Sequence, residues 1–307
     1  MHIVVYGSGG VGGYFGARLI QAGHQVTLIA RGAHLAAIQQ QGLRLKSPLG
    51  NCLVYPAVAT SSIGEVSEVD LILVCVKTWQ LPEVAQKIKP IVQAHTRVIS
   101  LLNGVENQDI LTVAIPAAQV FGGLCKIVSF VEAPGLIRHA SYEPTIVFGP
   151  LDHQVSPEAQ VVEKALLNAG INTILTMDIY CEIWTKFLFI TTVSALGALT
   201  RATIGEMCAQ PSVKALMRQT AQEIVAVARA QHIPLPDDCI DKQFEIIESQ
   251  PFETTASLQR DFLAGRPSEL EAQNGAVVRY GKALGIPTPV NAFIYHCLLP
   301  QELKNRT

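Results

Sequence analysis

One lysine stands at the head of a long apolar run. In "CEIWTKFLFITTVSALGALTR" (Cys181 to Arg201) no charged residue lies between Lys186 and Arg201. An ammonium group in that place has two uses. It can pair with Glu182, four residues earlier, on a solvated first helical turn, its stem lying along apolar surface. Partly desolvated, it can instead act as an acid. The segment alone leaves both open.

A second set of residues suits the binding of phosphate. Gly7-Ser8-Gly9-Gly10-Val11-Gly12 fits G-x-G-x-x-G, and Gly16 follows one helical turn later. The run comes directly after the strand-like "HIVVYG" and opens a helical pattern, in a βαβ unit of about thirty residues, which is the context the motif needs. Gly7 makes the tight turn, Gly9 lets backbone amides approach a pyrophosphate, and Gly12 allows close helix–sheet packing. The helix N-terminus adds free N–H groups and a positive dipole end. Gly7, Ser8, Gly9, Gly10, Val11 and Gly12 are therefore candidate cofactor residues; the plainer reading is a glycine-rich turn that holds nothing.

The end of the second strand bears on which dinucleotide. An NAD-selective site carries Asp or Glu there, whereas this chain has Ala30-Arg31-Gly32 and no carboxylate before Glu65. Arg31 can hold a 2′-phosphate bidentately, so NADPH is expected as the cofactor. Lys77, ending "VDLILVCVK", can add a second cation at the strand's C-terminal end, or be no more than a solvated strand end.

These groups need a scaffold. "HIVVYG", "HQVTLIAR", "VDLILVCVK", "RVISLLNG" and "AQVFGGLC" are short and nearly all apolar, as strands covered on both faces are. Helical stretches lie between them, clearest at Gly12 to Ala22 and Leu81 to Gln93, and the alternation argues for a parallel sheet with helices on both sides. "KIVSFVEAPGLIRHA" and "PTIVFG" read as an antiparallel edge hairpin turned at Pro134-Gly135. Beyond about Asn172 the pattern is helical and no strand is expected. Helices are expected over Met177 to Leu199, Ser212 to Gln231, Asp238 to Glu248, Ser268 to Leu284 and Val290 to Leu303. The fold class is an α/β N-terminal Rossmann-type doubly wound domain (residues 1–174) plus an all-α C-terminal domain (residues 175–307).

Composition narrows the function classes. The chain has 307 residues, 49% hydrophobic and 16% charged, with a formal net charge of -2. That suits two well-buried domains, and no basic block points to nucleic acid or to an anionic membrane. The uncharged stretch from Phe187 to Leu199 is short for a bilayer, and no signal-peptide pattern precedes the first strand, so a cytoplasmic location is expected. Seven cysteines without a CxxC pair read as small buried hydrophobes in a reducing compartment. Eight histidines show no ligand spacing, and no metal is expected.

Taken in order, "GSGGVGGYFGARLIQAGHQVTLIAR", "VCVKTWQ", "NGVEN", "EIWTKF", "GALTRATIGEM" and "SLQRDFLAGRPSELEAQNGAVVRYGKALGIPTP" resemble the ketopantoate reductases (2-dehydropantoate 2-reductases) over nearly the whole chain. The resemblance implies a Rossmann domain, a helical domain, a cleft between them, and NADPH-dependent reduction of ketopantoate to pantoate in pantothenate biosynthesis. Residue by residue, it assigns Gly7, Gly9 and Gly12 to the pyrophosphate, Arg31 to the 2′-phosphate and Lys77 to the cofactor's side. It places Asn103 of "NGVEN" near nicotinamide and substrate, and Lys186 as the catalytic general acid. Glu269 of "RPSEL" helps hold substrate, and Ser257, twelve residues earlier, binds its carboxylate. Each has a duller alternative: a turn at Asn103-Gly104, a first-turn acid at Glu269, a surface hydroxyl at Ser257.

The family pattern continues with asparagines four and eight residues after the lysine, along one helical stripe. This chain has Ile190 and Ser194 there. Isoleucine cannot hydrogen-bond a substrate oxygen, so these two substrate-wall residues leave the substrate open. Three expectations follow: reduction of ketopantoate, reduction of a different and more apolar 2-oxo acid or ketone by the same fold, and a non-catalytic NADPH-binding protein. The partner is a small 2-oxo acid in the first two. A homodimer through the C-terminal helices is compatible with the sequence without being required by it.

Overall fold

The chain, in a computed structural model, is described at residues 1–64 and 66–307, and for Ser141 and Tyr142 through the backbone alone; Glu65 lies outside the described residues. Contacts divide it into two units. The first holds Met1–Leu102 and Glu106–Ile179; the second holds Asn103–Val105 and Tyr180–Thr307.

In the first unit the five expected apolar runs become β1 (His2–Tyr6), β2 (Gln25–Ile29), β6 (Leu71–Val74), β7 (Arg97–Ser100) and the start of β8 (Val120–Ala133). The intervening short strands are β3 (Leu43–Lys46), β4 (Cys52–Val54) and β5 (Val58–Thr60), and β9 (Leu136–Pro150) and β10 (Asn172–Leu175) complete the sheet. Six strands run parallel in the order β5-β2-β1-β6-β7-β8. Strand β1 is buried on both faces. Ile3 and Val5 join one apolar cluster with Tyr14, Phe15 and Leu19 of α1 (Gly10–Gln21). Val4 and Tyr6 join another with Leu81, Val84 and Ile88 of α3 (Leu81–Ile88). Continuous apolar runs are what such double coverage demands. Helices α2 (Gly32–Gln41), α4 (Asn107–Thr112) and α5 (Pro157–Asn168) complete this unit.

Two expectations are corrected here. The hairpin of β8 and β9 turns where expected, with Gly135 at φ 72°, but it is not an edge: β9 is flanked on its far side by β3 and by β10. A fifteen-residue strand has room for both partners in succession, the first at Leu136–Arg138 and the second at Thr145–Phe148. Strand β10 itself lies in a segment where no strand was expected, since four residues carry little periodic signal.

The second unit is helical: α6 (Ile179–Thr200), α7 (Ile204–Ala209), α8 (Pro211–Ala230), α9 (Cys239–Glu248), α10 (Ser257–Leu263), α11 (Ala276–Leu284) and α12 (Pro289–Arg306). The helix expected over Ser268 to Leu284 is shorter. A π-type turn at Glu271–Gly275 precedes α11, which ends at left-handed Gly285. Helix α6, at 22 residues and with an apolar window of mean hydropathy 1.4, is long and apolar enough to cross a membrane by length and composition, although its uncharged stretch alone is shorter; 67% of that window is buried within the fold. All seven cysteines are free, but only Cys125 and Cys239 are fully buried and Cys297 is exposed, so the buried-hydrophobe reading holds for two of them.

Candidate functional site

In the first unit the glycine loop leaves the carboxyl end of β1, beside the carboxyl end of β6, while the next strands on either side are β2 and β7. That is a switch point of strand order, where open α/β sheets bind ligands. Gly7 has φ 100°, and a Cβ there would come within 2.9 Å of the Cys75 carbonyl. A Cβ on Gly12 would meet the Gly7 oxygen at 2.2 Å, so α1 lies directly on the loop. Gly10 packs on the backbone of Ser129 and Phe130 in β8. Gly9 differs: a Cβ built on it meets nothing within 4 Å. It caps α1 without a side-chain hydrogen bond, and no acid occupies the first turn. The first N–H groups of a helix have no intrahelical partner, so an uncapped, acid-free end opening onto clear space fits a pyrophosphate.

Ser8 is buried, and its side chain faces the fold. Its Oγ donates to the Ile29 carbonyl at 3.1 Å, and its N–H donates to the same oxygen at 2.9 Å, tying the loop to the end of β2. Val11 is half-buried beside it. Arg31 is exposed at the end of β2, as N-cap of α2. Lys77 is half-buried three residues past β6, at the switch point. The structure thus brings the loop, Arg31 and Lys77 to the carboxyl ends of β1, β2 and β6.

His34, on the first turn of α2, was not singled out in the sequence. Gly135 N–H donates to its Nδ1 at 3.0 Å, so Nε2 carries the proton and donates to the Ser8 carbonyl at 2.9 Å. Only neutral imidazole makes both bonds. Burial holds its pKa below the ordinary histidine value. No motif spacing marks it, because its partners are backbone groups 26 and 101 positions away.

The second unit brings three residues together. Lys186 Nζ donates to Asn103 Oδ1 at 2.9 Å, and Asn103 Nδ2 donates to Glu269 Oε2 at 2.8 Å. Lys186 and Asn103 are half-buried and Glu269 is 5% exposed. The amide's orientation follows from its neighbours, since its carbonyl must meet the cation and its NH₂ the carboxylate. Each element has a local reason to present its residue. Left-handed Gly104 turns the chain after β7, Lys186 sits two turns into α6, and Glu269 precedes the π-type turn. An ammonium, an amide and a carboxylate in one hydrogen-bonded line can polarise a carbonyl, protonate an alkoxide and orient a hydroxyl.

Ile190, half-buried, and Ser194, buried, follow Lys186 one and two turns along α6. Ser257 is exposed at the start of α10 and is not part of the hydrogen bonds that join the three. Its helix is seated on α6 through Gln259, whose Oε1 would lie 2.7 Å from a Cβ on Gly197 and whose Nε2 donates to the Ala202 carbonyl at 2.8 Å.

Comparison with known proteins decides the family. The family model described as "Ketopantoate reductase PanE/ApbA" matches residues 3–153, and its C-terminal counterpart matches residues 178–302. The chain belongs to the ketopantoate reductase family. It is an oxidoreductase of this 2-dehydropantoate 2-reductase type, with the Rossmann and helical arrangement of the family and NADPH as cofactor. A crystal structure of a PanE/ApbA family ketopantoate reductase from Ralstonia eutropha JMP134 superposes with a TM-score of 0.91 at 32% identity, covering 100% of both chains. The 2-dehydropantoate 2-reductase of Mesorhizobium japonicum is 29% identical over 94% of each chain. The uncharacterized oxidoreductase YkpB of Bacillus subtilis is 28% identical over 96% of this chain and 97% of its own.

Proposed function

We propose that this protein reduces ketopantoate to pantoate with NADPH, as a cytoplasmic step of pantothenate biosynthesis, with Lys186 as the general acid. The observation that carries the reading is the Lys186–Asn103–Glu269 line. NADPH, when bound, supplies the hydride; Gly7 to Gly12 would hold its pyrophosphate, Arg31 its 2′-phosphate, and Lys77 would add positive charge nearby. A ketone carbon that accepts hydride leaves negative charge on its oxygen, and a positioned ammonium both stabilises that charge and protonates it. Asn103 keeps the ammonium in place through its carbonyl. Glu269 balances the lysine's charge and, as an acceptor, can take a hydrogen bond from the substrate hydroxyl. Ser257 is assigned to the substrate carboxylate, supported by its place on a helix seated against α6.

A second reading is favoured by Ile190 and Ser194. On the Lys186 stripe they offer one hydrocarbon side chain and one short hydroxyl, which suits a more apolar 2-oxo acid. The non-catalytic alternative is set aside by membership in an oxidoreductase family. Steady-state NADPH oxidation with ketopantoate and with a panel of branched 2-oxo acids tests both readings. Ordinary turnover of ketopantoate supports the first, and turnover confined to unhydroxylated acids supports the second. Turnover of none of them contradicts both.

A further inference from the structure

The residue before Glu269 is held with unusual completeness. Ser268 is fully buried, and every polar atom it has is engaged by one turn of α12. Its N–H donates to both carboxylate oxygens of Glu302, at 3.0 and 3.1 Å, and its Oγ donates to Oε2 at 2.6 Å. Its carbonyl accepts from Arg306 Nη2 at 3.0 Å. Arg306 Nε donates in turn to Glu302 Oε1 at 2.8 Å. One residue earlier in that helix, Asn305 Nδ2 donates to the Arg266 carbonyl at 3.2 Å.

Glu302 is 2% exposed. A buried carboxylate is costly to desolvate, and a well-packed apolar group usually serves stability as well. What an apolar group cannot do is fix the orientation of a peptide. Here the pair Glu302–Arg306 grips Ser268 by donor and acceptor at once, and the next side chain is the one that meets Asn103. The pair is charge-balanced, so it adds little net field to Lys186 and Glu269 and acts through geometry.

We propose that Glu302 is a positioning residue for Glu269: it holds Ser268 by its N–H and hydroxyl and, through Arg306, the Ser268–Glu269 peptide by its carbonyl, so that the carboxylate stays on Asn103 and, through it, on Lys186. The inference rests on the role given to Glu269 under Proposed function. Small misplacements in such a line can cost about a hundredfold in rate. Glu302→Gln keeps the shape, weakens the grip on Ser268 and breaks the ion pair with Arg306.

The test is a double-mutant cycle on kcat/KM for the oxo acid, using the full-length enzyme, with Glu302→Gln, Glu269→Gln and the pair. NADPH affinity is measured alongside by fluorescence. The expected result is a loss of about tenfold or more for Glu302→Gln alone, unchanged NADPH affinity, and no further loss when it is added to Glu269→Gln. An equal loss in both backgrounds makes Glu302 merely structural and overturns the proposal, as does full activity of Glu302→Gln. If Glu302→Gln fails to fold, Ser268→Ala replaces it in the cycle with the same expectations, since it removes the hydroxyl's bonds to Glu302 and to the Leu270 N–H and keeps the carboxylate paired with Arg306. Full activity of Glu269→Gln would instead overturn the role of Glu269 itself, a distinct failure that takes this inference with it.

Discussion

Asn103 Nδ2 donates to Glu269 Oε2 at 2.8 Å, joining residues 166 positions apart in the chain. On its other side the same amide accepts from Lys186 Nζ. Asn103 therefore stands between an ammonium and a carboxylate that would otherwise be free to pair directly. A direct ion pair would satisfy the ammonium with protein oxygen and leave less of it for a substrate. With an amide between them, the cation is held by a neutral acceptor rather than by a carboxylate.

Arg31 is the basis for cofactor choice. Arg31→Ala is expected to weaken NADPH binding by about tenfold or more, the loss of a bidentate charge-assisted contact, while NADH binding changes little. Dissociation constants for the two dinucleotides check this directly. Equal effects on both would contradict the phosphate assignment.

Two glycines separate folding from binding. Gly9→Ala adds a methyl group to space that nothing in the chain fills, so thermal stability should stay within about 0.5 kcal/mol of the parent while NADPH affinity falls. Gly12→Ala drives a Cβ onto the Gly7 oxygen, and it should destabilise the protein itself by about 1–3 kcal/mol. Thermal melts with and without NADPH distinguish the two. Unchanged NADPH affinity in Gly9→Ala would mean the cradle is elsewhere.

His34 gives a pH dependence whose sign follows from its two hydrogen bonds. Its folded pKa lies below 6.5, because burial favours the neutral ring. Above 6.5 both folded and unfolded states are neutral there and its contribution to stability is fully present. As pH falls through 6.5 the unfolded state takes up a proton that the folded state resists, and the contribution is lost. His24 is shifted the same way, also chiefly by burial, so the wild type alone does not isolate the effect. The stability difference between wild type and His34→Gln, from urea unfolding, should be larger near pH 7.5 than near pH 5.5. A difference independent of pH would count against the tautomer.

Much of this site could be read from residue order. The glycine loop, the parallel strands and the helical second half are local patterns, and Lys186 stands out at the head of its apolar run, whereas Asn103 and Glu269 are marked only by the family resemblance. What the sequence hid was partnership across distance. Nothing near Glu302 marks it as buried, since "QELKNR" has the composition of a solvated helix end. His34 pairs with two backbone groups, which leave no trace in side-chain spacing. Strands β3, β4, β5 and β10, of three or four residues each, are too short to show alternation; β3 and β10 form on the long β9, β5 on β2, and β4 on β3 in turn. Ser8 matched the motif, yet its hydroxyl is turned into the fold.

Ile190 bears on the choice between the two substrate readings. Ile190→Asn should raise the ratio of kcat/KM for ketopantoate over an unhydroxylated branched 2-oxo acid by about tenfold or more, since a site able to hydrogen-bond a hydroxyl discriminates far better than a hydrocarbon wall. An unchanged ratio would show that this face of α6 does not touch the substrate's distal end.

The central claim is that Lys186 donates the proton. The most direct measurement is kcat for NADPH oxidation by Lys186→Ala beside wild type, with the NADPH dissociation constant determined for both. A loss of about 10²-fold or more in kcat with cofactor affinity essentially unchanged is the predicted result. A kcat close to that of wild type, or a loss of cofactor affinity as large as the loss of rate, would contradict it.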